Sequence, residues 1–157
     1  MIKKIIEFIL LSQLIISCGF TPTLKSLDSE NSALTYYAID PENSYIARQV
    51  LSSQLKNLDK NKAKFLTKVR ILEKESAVNV TSSGSVDEFK IEVLVNFKIF
   101  TISSDTLLFE SQSRGFANYD VSNSEYTNSL VKKEALNRAL TEGIQLMSIV
   151  VQSKITE

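Results

Sequence analysis

The chain has 157 residues, 18 basic and 18 acidic side chains, a single cysteine, and neither histidine nor tryptophan. Its 43% hydrophobic and 23% charged content is that of an ordinary globular domain, which excludes a disordered chain and a multi-span membrane protein. Zero net charge argues against nucleic-acid binding, one cysteine excludes an intrachain disulfide, and the lack of histidine removes most zinc sites.

Lys3 and Lys4 precede an apolar stretch, Ile5 to Ile16, interrupted at Glu7, Ser12 and Gln13. At about 1.5 Å per helical residue it reaches roughly 18 Å, too short for a hydrocarbon core of about 30 Å, so residues 1–17 are read as a signal peptide. It ends in Ile15-Ile16-Ser17-Cys18, which resembles a bacterial lipobox, and Cys18 is assigned as the lipidated residue. A buried structural cysteine is the lesser alternative. Gly19 follows rather than Asp, which favours an outer-membrane destination facing the periplasm. Acyl chains at about 0.8 kcal/mol per buried methylene make such an anchor effectively permanent. Residues 18–32, with Pro22 and no periodicity, form the lipidated start and a flexible tether. Residues 33–157 are then a single domain.

Leu34 to Ile39 is β-prone and stops at the turn signal Asp40-Pro41. Asn43 or Ser44 caps a helix to about Leu58, with Ala47, Val50, Leu51, Leu55 and Leu58 on one face. A strand over Phe65 to about Lys74 sets Phe65, Val69 and Ile71 against Lys68, Arg70 and Lys74, and a loop follows with its tip at Thr81–Ser85. Phe89, Ile91, Val93, Val95, Phe97 and Ile99 alternate with polar residues, Leu94 excepted, which predicts a long antiparallel strand to Ile102. After a turn at Ser103–Thr106, Leu107 to about Tyr119 returns as its partner. Ser122-Asn123-Ser124-Glu125 reads as a capping box for a helix to about Gln152, with Gly143 inside it. The fold class is α+β: a four-stranded, largely antiparallel sheet with two helices on one face, in the order β-α-β-β-β-α.

Catalytic groups are scarce. Without histidine neither a Ser-His-Asp nor a Cys-His arrangement can form, and lipidation would consume the thiol. Glu73, Glu75, Asp87 and Glu88 are read as solvated charges, and Tyr119 and Tyr126 as packing the last helix onto the sheet. No catalytic residue, metal site or cofactor is assigned, and the chain is not expected to be an enzyme. The stretch from Lys56 to Lys74 is basic, and Lys68, Arg70 and Lys74 share one face of the strand with Lys64. They are the candidates for anionic-lipid contact by charge-assisted bonds. A solvated polar face balanced by Glu88 and Glu92 across the ladder is the reading preferred over it.

Cys18-Gly19-Phe20-Thr21-Pro22 resembles the mature start of a lipopolysaccharide-assembly lipoprotein of the LptE type, in its alphaproteobacterial branch. The resemblance continues through the strand and helix of Ala33–Leu58, the long strand Phe89–Ile102, the return strand through Gly115–Val121, and Ser124 two residues before Tyr126. Lys133–Ala139 resembles the family's helix start. It implies an outer-membrane lipoprotein seated in the lumen of an LptD-type β-barrel, which plugs the barrel, aids its assembly and engages lipopolysaccharide in transit. The family's lipid-contacting basic residues lie between the second and third strands and before the last helix. Here Asn79–Ser85 and Ser122–Ser124 hold no basic residue, so no lipid site is carried over. The alternatives are an auxiliary lipoprotein of an ABC-type lipid transporter, reminiscent at Tyr36-Tyr37-Ala38-Ile39, and a freestanding periplasmic lipid-binding lipoprotein.

Overall fold

The computed structural model describes residues 34–56 and 59–156. The signal segment, Cys18, the tether and Leu58 lie outside the described residues. The elements follow in the expected order: β1 (Thr35–Ile39), α1 (Tyr45–Gln54), β2 (Phe65–Val80), β3 (Val86–Thr101), β4 (Thr106–Asp120) and α2 (Glu125–Thr156). They form one mixed sheet, ordered β1-β2-β3-β4, with β1 parallel to β2 and the other pairs antiparallel.

The core follows from the two periods. Ile91, Val93, Val95, Phe97 and Ile99 put every second side chain of β3 on one face, and all five are buried. Against them α2 lays Ala135, Ala139, Leu140, Ile144, Met147 and Val151, and α1 adds Ala47 and Leu51. Both helices therefore cover the same face, and Gln54 of α1 donates to Thr141 of α2 at 2.9 Å. Buried Thr35 and Thr67 satisfy one another at 2.8 Å where β1 meets β2.

Several boundaries depart from the sequence reading. α1 is shorter, because Leu55 already has extended backbone (φ −96°, ψ 114°). Its cap is Ser44, whose Oγ accepts from Ala47 N–H at 3.1 Å. β2 runs on to Val80 past the last apolar residue of its inner pattern, carried by its ladder with β3 rather than by burial. α2 continues to Thr156, held by buried Ile155.

The capping box is displaced. Ser124 is the cap and accepts from Thr127 N–H at 3.3 Å. Ser122 N–H donates to the Asn128 carboxamide at 2.7 Å. Asn128, one turn into the helix, thus plays the part expected of Glu125.

Candidate functional site

No element among the described residues covers the face of the sheet opposite the helices, and it carries the basic residues singled out in the sequence. Even-numbered positions of β2 and β3 point there, abreast of the corresponding β4 residues by register. Arg70 donates to Glu42 at 2.7 Å and lies 4.0 Å from Asp40, both in the β1–α1 connection. Lys68 sits over the Phe100 ring, 4.6 Å from its centroid, and Lys90 over Phe116 at 4.2 Å. Across β3 and β4, Lys98 pairs with Glu110 at 2.9 Å and Arg114 approaches Glu92 at 3.9 Å. Gln112 donates to Asn96 at 2.9 Å.

Lys68 and Arg70 meet at a groove of about 790 Å³ that Ala38, Pro41, Leu72 and Lys98 also line. Lys74 stands further along β2, across the ladder from Glu92. So the structure brings Lys68 and Arg70 together and leaves Lys74 apart. Of the carboxylates expected to balance this face across the ladder, Glu92 stands opposite Lys74 and 3.9 Å from Arg114, whereas Glu88 is placed otherwise. Glu88 faces Asn79 and accepts from Asn118 at 2.8 Å, while Arg70 is neutralised by Glu42 and Asp40. Sequence reasoning took Asp40-Pro41 only as a turn. The counter-ions of Arg70 and the ring beneath Lys68 lie about 30 residues away in the chain, beyond any local pattern.

A second cluster was legible only in part in the sequence. Glu73 and Glu75 lie on the helix side and are exposed, as read, but are also bonded: Ser44 Oγ donates to Glu73 at 2.5 Å, and Tyr119 and Lys132 both donate to Glu75. Partial burial raises the pKa of Glu75, but the Lys132 and Tyr119 hydrogen bonds and the Lys132 charge outweigh it and hold the carboxyl below its usual range. Burial, with the Glu75 bond and charge, pushes the Tyr119 phenol up to about 12. Tyr119 is buried and stacks on Phe89 with centroids 5.6 Å apart, whereas Tyr126 is 81% exposed and packs nothing onto the sheet. Glu75, Tyr119 and Lys132 together fasten the far half of the β2–β3 hairpin to the start of α2.

Among the described residues no cluster of acidic or cysteine side chains could hold a metal ion, and no helix is long and apolar enough to cross a membrane. The arrangement presents a wide surface of mixed character, and among the described residues Lys68, Arg70, Lys90, Lys98 and Arg114 are each met there by a carboxylate or an aromatic ring, whereas Lys64 and Lys74 are not.

No known family model matches the chain, and no curated protein resembles it in sequence. Solved structures do resemble it. A candidate lipoprotein from Caulobacter crescentus superposes with a TM-score of 0.61 at 13% identity, covering 84% of this chain and 97% of its own. Uncharacterized lipoprotein B from Nitrosomonas europaea gives 0.60 at 15% identity, covering 78% and 86%. A minor lipoprotein from Acinetobacter baumannii gives 0.57 at 10%, covering 78% and 92%. The chain thus shares the fold of several bacterial lipoproteins.

Proposed function

We propose that this chain is an outer-membrane lipoprotein, anchored through Cys18, that plugs and helps assemble the β-barrel inserting lipopolysaccharide into the outer leaflet. The observation that carries the proposal is the uncovered sheet face. It is broad and mixed in character, with Lys98–Glu110 and Arg70–Glu42 pairs and two cations lying on rings set among exposed apolar side chains such as Leu72 and Phe116, so that most of its charge is compensated. Such a surface suits the polar lumen of a large barrel, where an apolar face would be poorly matched and a strongly charged one would need counter-ions. The lipobox-like Ile15–Cys18 supports the anchor, and the likeness in fold to proteins named as lipoproteins supports the class.

In this reading the protein acts through its surface rather than by turnover. Its partner is an LptD-type barrel, and it works from the periplasmic side. Direct contact with lipopolysaccharide would fall to Lys68 and Arg70 at the groove and to Lys74 beyond it.

Depletion of the protein tests the proposal. The expected result is a fall in surface lipopolysaccharide together with loss of correctly assembled barrel. Unchanged levels of both would overturn it. A defect in inner-membrane lipid export instead would favour the transporter-auxiliary role.

A further inference from the structure

The two long edges of the sheet meet different fates. Along β4, the Phe116 N–H donates to the Glu142 carboxylate at 2.8 Å and the Asn118 carbonyl accepts from Arg138 at 3.2 Å, so α2 supplies partners for that edge. Along β2, β1 pairs from Phe65 to Val69. Asp40 N–H then donates to the Val69 carbonyl at 3.0 Å, and the buried Asn43 side chain closes the next step, donating to that carbonyl and accepting from Ile71 N–H at 2.7 Å. Beyond Ile71 the closure stops. Along a strand every second residue turns its N–H and C=O to the same edge. The edge used by Val69 and Ile71 therefore passes to Glu73, Glu75 and Ala77. Among the described residues their edge-facing backbone groups have no partner.

The side chains beside this edge are unequal. Glu73 and Glu75 point to the helix side and are already bonded. On the other face stand Leu72, 48% exposed, and Lys74, with no carboxylate within ion-pair distance among the described residues. Register shifts between Ala77 and Val80 end the regular stretch.

We infer that the β2 edge from Leu72 to Ala77 receives an extended segment of another protein, which adds a strand beyond the end of β1 and sets an acidic side chain abreast of Lys74 with an apolar one beside Leu72. Donors and acceptors repeating at strand spacing are matched by another extended backbone, and the unpaired cation selects the sign of its neighbour. A second copy of this chain is a poor occupant. Antiparallel pairing centred on Lys74 would set Lys74 against Lys74 and Glu73 of each copy against Glu75 of the other, like charges in both cases. The inference does not depend on which protein supplies the segment.

The test uses the full-length chain in detergent micelles and the acetylated, amidated peptide Thr-Val-Thr-Glu-Thr-Val-Thr, with amide hydrogen exchange followed residue by residue. Peptide at about ten times its Kd should slow exchange of the Glu73, Glu75 and Ala77 amides about tenfold and leave the Phe116 amide unchanged. Replacing the peptide's Glu by Lys, or Lys74 by Glu in the protein, should weaken the effect, and combining both changes should restore it. Ala77→Pro removes an edge-facing donor without touching the ladder to β3, and should reduce binding while circular dichroism and Tm hold. Protection of these amides before peptide is added would overturn the inference: at all protein concentrations it means the edge is covered by the chain itself, and if it rises with concentration, by a second copy. Absence of protection at millimolar peptide would overturn it too.

Discussion

Gly115 marks the closest approach of α2 to the sheet. A Cβ there would lie 1.9 Å from the Ala139 carbonyl oxygen and 2.7 Å from the Gly143 nitrogen. The helix has small residues at both points, and Ser113 fixes the contact by donating to the Gly143 carbonyl at 2.7 Å. Gly143, a weak helix former inside the helix, is what lets the two backbones meet. Gly115→Ala should therefore cost about 3 kcal/mol or more, read as a lower urea midpoint. Gly84→Ala, with open space around it but φ +85°, should cost only about 1 kcal/mol.

Glu75 gives the stability a pH signature. Its folded pKa lies below the ordinary 4.5, so its contribution is complete above that value and is lost as pH falls through the folded one. Glu75→Gln should flatten the fall of the urea midpoint as pH drops below about 4.5, relative to the parent. Tyr119 acts at the other end. Its pKa is raised to about 12, so its contribution holds below pH 10 and is lost as pH rises through 12, and Tyr119→Phe should remove that alkaline loss. Neither effect could be read from sequence, because Glu75 meets partners 44 and 57 residues away.

At the scale of elements, β3 was legible because its inner face is buried over its whole working length, so apolar alternation and strand coincide. β2 was legible only to Lys74. From Leu72 to Val80 every residue is exposed, and a strand held by backbone pairing leaves little trace in side-chain pattern. The last helix was legible from its cap and length, and its core side is centred on Ala139, Leu140, Ile144, Met147 and Val151, with Leu136 and Val150 half-buried at its margins.

Asn43 shows how one side chain can stand in for a strand. It is 4% exposed and bridges the Val69 carbonyl and the Ile71 N–H. Asn43→Ala should leave that buried N–H unpaired and cost about 1–3 kcal/mol, with faster exchange of the Ile71 amide as the local readout. Ser124→Ala removes the cap of α2 and should cost about 1 kcal/mol.

At the scale of the molecule, two helices set their apolar faces on one side of the sheet and leave the other side with most of its charges compensated among exposed apolar side chains such as Leu72 and Phe116. The class of fold could be read from period and order. That Arg70 is held by Glu42 and Asp40, and that Lys68 rests on Phe100, could not, since both contacts depend on how β1 and β3 flank β2. The charge compensation bears on function, because a surface that has already paired most of its cations favours a fitted polar environment over a highly charged ligand. Cys18→Ser should abolish incorporation of labelled palmitate and release the protein from the membrane fraction, which checks the anchor separately from the partner.

The central claim, that the protein is one half of a plug-and-barrel complex, is tested most directly by affinity purification of a tagged full-length copy from detergent-solubilised outer membrane, with each recovered protein quantified. The account predicts a large β-barrel in one-to-one ratio. Recovery of an inner-membrane ABC complex, or of the lipoprotein alone, would contradict it.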